Sequence, residues 1–458
     1  MDVSQYKLLD EFRVSGHWWL PDKPEEKLPG TITVGPDTAI VLELAGTFSS
    51  AEFGVHNVLS AGPRTVQLDI ILGADADGDL YTLHRLHALK ISSTCTFRVS
   101  YMLAGKHFSS ADEIVFDSAL VQYTHLESWS CFNFTRQGKS ESPDFFSIQI
   151  PTNLETLFKV EDVGHIKHLS LEAHALSHFT LSAIEIKPTA RFSIGLNAAA
   201  NLRTWFQLMN DLGNFMTLLI GEPSYVKKLR LFATPDTAVD AFYPSTIRRE
   251  KDLHPLEMCL DFRSVQKTAP MITRNWFESL PLLAPVYDLL FGTLFGRDAF
   301  VRTKFINLTQ ALESLHRRTM GGTYLSVREF DPVRDVLNAA VPRDVPADLK
   351  KKLSDSLEYA NEYSLRRRVK ELFRGLDPST IEMLKVQDIA ATTDVIVRTR
   401  NYLTHFSESQ RTTIVDDVVA LHFMNERLTA LLFVLVLKRL GIGEDSAAKG
   451  ALKRRFFD

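Results

Sequence analysis

The stretch Arg398-Thr-Arg400-Asn401-Tyr-Leu-Thr-His405-Phe406 ends a run, residues 386–405, that keeps helical spacing almost to its last residue. It sits in a part of the chain that reads as helix nearly throughout. Upstream, Phe305, Leu308, Ala311, Leu312 and Leu315 define one apolar helix face. Pro346-Ala-Asp opens a second helix running to about residue 363. Ser364 can cap a third over 365–373, stopped by Gly375 and Asp377-Pro378. A short helix follows Pro378, and a long one over 412–440 follows the polar Ser407-Glu-Ser-Gln410. The spacing therefore predicts an all-α bundle from residue 298 to 458.

Working outward toward the N-terminus, the period changes. Short apolar or alternating runs begin at Ile40, Val66, Thr96, Glu113, Phe145 and Phe179, separated by turn signals. Their spacing predicts a sandwich or partly closed barrel. From Asn197 helical spacing takes over, with Leu202, Trp205, Phe206, Met209, Leu212, Phe215 and Met216 in phase until Gly221. Strand-like pieces return at 228–234 and 256–262, and a helix follows around 276–294. The fold class read from this is multidomain α+β: a β-rich region with added helices over 1–297, a sub-boundary near 195, then the helical domain over 298–458.

The chain is long for one core at 458 residues. Its longest apolar run, eight residues from Ala430 to Leu437, is too short to cross a membrane, and the acidic opening is not a signal peptide. Three widely spaced cysteines, Cys95, Cys131 and Cys259, suit a reducing compartment, so a cytoplasmic location without membrane contact is expected. Charge is unevenly spread. Residues 301–458 hold 26 Lys+Arg against 21 Asp+Glu, and the first 300 hold 26 against 35. A polyanion would be met at the C-terminal end.

Metal-free RNA cleavage needs a base for the 2′-hydroxyl, an acid for the leaving 5′-oxygen and a cation for the phosphorane. Histidine titrates near neutrality and fills either proton-transfer role. Arginine carries a permanent charge on a fork that matches phosphate oxygens. Asn401 and His405, four apart, share a helix face, and the amide can orient the ring. Arg398 lies on the same side. Arg400 is about 140° round the helix and must sweep its side chain across. The bare spacing of Arg to His is expected about once by chance in this composition, and Arg249–His254 is a second instance. Asking for Asn directly after the Arg lowers the expectation to about 0.03.

Arg400-Asn401-Tyr-Leu-Thr-His405 resembles the R-N-x3-H signature of HEPN ribonucleases. The stretches from Phe305 and from Ser364 resemble the first helices of the ApeA-like HEPN group. Gly16-His-Trp-Trp-Leu-Pro, Leu28-Pro-Gly-Thr-Ile-Thr and Leu42-Glu-Leu-Ala-Gly resemble the N-terminal domain of ApeA-type anti-phage proteins. The resemblance implies a homodimer that sets the motifs of two subunits together. It implies RNA cleavage, with tRNA a fitting target, through 2′-hydroxyl attack and without metal or other cofactor. Arg400 would stabilise the phosphorane, His405 would act as acid or base, and Asn401 would position. Glu313 would orient an arginine. The β-rich part would sense a phage-derived trigger or restrain the nuclease. Two rivals are a HEPN protein used only for interaction, and a ligand-binding sandwich whose helical tail oligomerises it.

Other clusters read more plainly. Arg366, Arg367, Arg368 and Lys370 make a basic helix face suited to an RNA backbone or simply to solvent. His165, His168, His174 and His178 would need to converge to hold a metal, and strand alternation sends the first two to opposite faces. Asp75-Ala-Asp77-Gly78-Asp79 lacks the glycine and glutamate positions of a calcium loop and reads as a tight turn. Phe12 and His17-Trp18-Trp19 read as packing rather than a ligand platform. Phosphate-loop and serine-hydrolase motifs are absent from the sequence.

Overall fold

The computed structural model describes residues 2–35, 39–48, 67–130, 153–180, 184–233, 237–245, 253–296, 300–406 and 414–453. The chain divides into two compact units, Met1–Phe277 and Glu278–Asp458.

In the first unit, β1 (Phe12–Trp19), β2 (Leu28–Val34), β3 (Ile40–Leu44), β4 (Gln67–Asp75), β5 (Leu80–Ile91) and β6 (Cys95–Ala104) run antiparallel in the order β3-β2-β1-β4-β5-β6. Pairing of Ile40–Leu44 with residues 95–99 closes the ring into a six-stranded barrel. The expected sandwich or partly closed barrel is therefore a closed one. Closure removes the edges that an open sheet would expose. Trp18, Ile32, Leu42, Leu83, Phe97 and Val99 fill the interior and are fully buried. Each contributes roughly 1.5–3 kcal/mol of apolar burial. Gly73 is required here, since a Cβ on it would lie 2.2 Å from the Trp18 ring. Phe12, Trp18 and Trp19 are thus core packing, as their clustering at a strand suggested.

Beyond the barrel follow β7 (Val115–Tyr123), the one-turn α1 (Leu126–Trp129), β8 (Asn153–Val163), β9 (Ile166–Phe179), β10 (Ile184–Asn201), α2 (Leu202–Ile220), β11 (Val226–Ala233), β12 (Thr237–Phe242), the short α3 (Phe262–Val265) and α4 (Ala269–Phe295). The strands continue the sheet as β6-β12-β11-β7-β10-β9-β8. β6 serves both parts: residues 95–99 pair with β3, and 102–104 pair with β12. Asn201 caps α2 by accepting from Thr204 N (3.1 Å), and Gly221, at φ 89, ends it. The α2 face carrying Trp205, Met209, Leu212 and Met216 is buried, and Trp205 Nε1 donates to Phe116 O of β7 (3.0 Å).

Several expectations change. The sub-boundary near 195 falls inside β10, where Gly195 pairs with both neighbours. Residues 256–262 form no strand. Pro255 starts a 3-10 turn capped by His254, and Asp261 caps α3, so helical turns take the segment. The two compact units divide after Phe277, inside the region expected to run to 297. Near that point α4 contains Pro281 and Pro285, which lack the N–H groups that would bond the carbonyls of Phe277 and Pro281. The run beginning at Phe145 lies outside the described residues.

The second unit contains α5 (Val301–Met320), α6 (Val327–Ala339), α7 (Ala347–Glu358), α8 (Leu365–Arg374), α9 (Pro378–Met383), α10 (Ile389–His405), α11 (Val418–Leu440) and α12 (Glu444–Lys453). α5 is central and packs on α8, α10 and α11. α11 is apolar enough by length and composition to cross a membrane. However, more than half of its apolar stretch is buried, packed on α5 and α12, as for a core helix. α6 and α12 were not expected.

Candidate functional site

Asp388 caps α10 by accepting from Ala390 N and Ala391 N (2.7 and 3.1 Å). Thr393, Ile396, Val397, Thr399 and Leu403 form its buried face. Helical spacing then leaves Asp394, Arg398, Asn401 and His405 as one outward line. Phe406, at φ 50, stops the helix beyond His405, and its ring packs against Tyr402. The imidazole is exposed at the helix end and makes no hydrogen bond to another described residue.

Arg400 is half-buried, and its Nη1 donates to Asn401 Oδ1 (3.3 Å). The guanidinium does sweep round toward the His405 line. Asn401 meets it instead of holding the ring. Arg400 has no carboxylate partner among the described residues. Arg398 differs, since its Nε donates to Asp394 Oδ2 (3.0 Å), and Arg366 of α8 pairs with the same carboxylate. Glu313 pairs with Arg317 one turn along α5 (3.4 Å), and Arg317 also meets Glu362. The arginine that Glu313 orients is therefore on its own helix.

The basic face of α8 is not one face. Arg368 is 1% exposed. It donates to Gly321 O (2.6 Å) and Tyr363 O (2.9 Å) and contacts His316 Nδ1 (3.1 Å). Burial first, and Arg317 next, push its guanidinium below the ordinary arginine value. An RNA-contacting role for Arg368 is thus corrected: its donors are consumed inside the unit. Arg367 lies over the Tyr363 ring, 3.6 Å from the centroid, and its Nε donates to Glu371 (3.0 Å). Glu371 also meets His316 Nε2 (2.8 Å). Arg366 is exposed and Lys370 half-buried.

Sequence reasoning missed the surroundings of the motif. Val415 N donates to Thr399 Oγ1 (3.0 Å), which ties the approach to α11 onto α10. Phe406, Val418, Val419 and Phe423 are exposed apolar side chains at the end of α10 and the start of α11. Such side chains in company are a signal for a contact surface. The four histidines of 165–178 lie along the β8–β9 hairpin and into β9. His168 packs against Gly195 and His174 approaches Glu172 (3.6 Å). Asp75 Oδ1 accepts from the amides of Asp77 and Asp79 in the β4–β5 turn, with Gly78 at φ 87.

The helical unit thus presents Arg-Asn-x3-His at the exposed end of α10. Comparison with family models adds the rest: residues 13–276 match ApeA N-terminal domain 1, and 306–446 match Apea-like HEPN. The chain belongs to the ApeA-type HEPN family, and its two domains support a part in anti-phage defence. Neither the curated proteins nor the solved structures gave a match.

Proposed function

We propose that the protein is a metal-independent RNA endonuclease that works as a homodimer in the cytoplasm. The observation that carries this reading is Arg400, which has no acid against it among the described residues and meets the side chain of Asn401, a residue on the same helix line as the exposed His405. A phosphate oxygen is a fitting partner for that guanidinium. One imidazole takes the proton from the 2′-oxygen as it attacks phosphorus. A second imidazole, from the partner subunit, gives a proton to the departing 5′-oxygen. Arg400 holds the charge that builds on the phosphorane. The products are a 2′,3′-cyclic phosphate and a 5′-hydroxyl. Structured tRNA is the proposed target, and a phage-derived trigger acting on the β-rich unit is the proposed switch.

The exposed apolar side chains Phe406, Val418, Val419 and Phe423 support a second copy at this end of α10, which would bring two imidazoles to one phosphate. Cys95, a buried free thiol, suits a reducing cytoplasm. The test is Arg400→Ala and His405→Ala, each checked for dimerisation by sedimentation. Both should still dimerise and lose RNA cleavage by about 100-fold or more. Variants that cut at the native rate would leave an interaction protein as the better reading.

A further inference from the structure

We propose that the cleft between the outer face of β4–β6 and the start of α2 is a binding site for a nucleoside 5′-monophosphate unit, built by the aromatic stack His84–Tyr101–Phe206 beside Arg85 and Arg203.

The cleft exists because three neighbouring strands change phase at one level. In β6, Cys95, Phe97 and Val99 belong to the barrel core, but further on the core residues are Met102 and Ala104. In β5 the core passes from Tyr81 and Leu83 to Leu86, and in β4 Leu68 and Ile71 both pack on it. Alternation would send residues an odd number apart to opposite faces. Arg85 absorbs the change in β5 with a left-handed backbone, φ 55, which is rare for a residue other than glycine. The bend coincides with the point where β6 leaves β3 to pair with β12. His84 and Tyr101 are left outside the barrel core, where α2 brings Phe206.

The resulting cavity holds about 810 Å³, within the usual range for small-molecule sites. His84 and Tyr101 stack at 5.8 Å between ring centroids and 23°, and Tyr101 and Phe206 at 5.2 Å and 20°. All three line the cavity, and Tyr243 packs edge-on to Phe206. An aromatic floor of this kind suits a flat heterocycle. His84 is more than nine-tenths buried. Its Nδ1 contacts Asp69 O (3.1 Å), while its Nε2 has no hydrogen-bond partner among the described residues. Burial is the main influence lowering the titration of this imidazole, and its Nε2 remains unspent among the described residues. It can meet the polar edge of a base.

The charged rim selects the rest of the ligand. Arg85 and Arg203 line the cavity, and Arg203 lies in the first turn of the 19-residue α2. The Asn201 cap accepts from Thr204 N, and the remaining first-turn amides have no helical acceptor. Two guanidinium groups beside a helix start match one phosphate. Asp69 and Asp112 also line the cavity and offer carboxylates to sugar hydroxyls. Two acids against two bases disfavour a long polyanion and favour a ligand with one compact charge.

The same unit can come as a free nucleotide or as the phosphorylated end of a single strand. Full-length protein carrying His405→Ala, which removes strand cleavage as a complication, is titrated calorimetrically with AMP, GMP, CMP and UMP. The same protein is titrated with the matching nucleosides, with inorganic phosphate and with a 5′-phosphorylated tetranucleotide. At least one mononucleotide or the tetranucleotide should bind, and nucleosides and phosphate alone should bind at least about 10-fold more weakly. The exposed Arg203→Glu should weaken binding by about 10-fold or more without unfolding the chain, and Phe206→Ala should do the same through the ring. Tighter binding of the mononucleotide assigns the site to free nucleotides, and tighter binding of the tetranucleotide assigns it to strand ends. No binding by either at millimolar concentration, or binding unchanged in Arg203→Glu, overturns the proposal. The site does not depend on the nuclease reading, because its readout is binding by a chain already lacking His405.

Discussion

The arginines of α8 and of α10 look alike in sequence and differ in what they face. Along α8, Arg366 meets Asp394, Arg367 meets Glu371 and Tyr363, and Arg368 is enclosed by carbonyls and His316. At the end of α10, Arg400 meets, among the described residues, the side-chain oxygen of Asn401 and no carboxylate. A guanidinium already paired with a carboxylate must lose that partner before it can take a phosphate. One without an acid need not. Availability, rather than the number of bases, thus separates a structural cluster from a candidate catalytic one.

The sharpest way to break this comparison is to truncate one arginine from each side. Arg400→Ala should cost about 10²-fold or more in cleavage while leaving the denaturant midpoint nearly unchanged, since surface truncations stay within about 0.5 kcal/mol. Arg368→Ala should do the reverse, lowering stability by about 3–5 kcal/mol in urea unfolding, because it empties a buried, hydrogen-bonded charge site. Equal stability losses in both would erase the distinction.

A smaller effect tests the buried network from its acid. Burial pushes the Glu371 carboxyl up, but hydrogen bonds from His316 and Arg367 outweigh it and hold the group below the ordinary 4.5. A depressed carboxyl contributes stability above its unfolded value and loses it as pH falls through the folded one. Stability should therefore decline below about pH 4.5. Glu371→Gln should flatten that part of the profile in urea titrations at stepped pH. The smallest effect is at the shared acid of the two helices. Asp394→Asn removes the negative charge that Arg366 and Arg398 share, so RNA binding should tighten modestly and its salt dependence should steepen, with little change in stability. An unchanged salt slope would show that neither arginine reaches the backbone.

Much of the fold was legible because it rests on local periodicity. The helices around Phe305, Ser364 and the motif, and the strand runs of the barrel, follow spacing that burial then enforces. What was not legible depends on distant partners. Barrel closure requires β3 to find β6, and nothing local in Ile40–Leu44 states this. β10 carries Pro188, which argues against a long strand. Yet among the described residues Pro188 pairs with Ala175 of β9 alone, and β7 joins further on, from Phe192, so the proline lies where the strand has one described neighbour rather than two. α6 contains no buried residue, so it offered no apolar stripe to read.

The site was legible in part. Residue type and spacing name Arg400, Asn401 and His405 as candidates, and the Arg400–Asn401 contact fits the side-chain sweep that helix geometry asks for. The fate of Arg368 was available but overlooked. Arg368 and Leu372 are four apart, which places both on the buried face of α8. The pairing of Arg398 with Asp394 is also a four-residue spacing that the sequence displays. By contrast, the apolar surface at Val418, Val419 and Phe423 becomes visible only once Thr399 ties the two helices together.

The most direct test is to incubate the purified full-length chain with end-labelled tRNA in EDTA and determine the chemistry of the new ends. A 2′,3′-cyclic phosphate and a 5′-hydroxyl, produced by the native chain and absent with His405→Ala, is the predicted result. Ends bearing a 3′-hydroxyl and 5′-phosphate, or cutting that persists in His405→Ala, would contradict it.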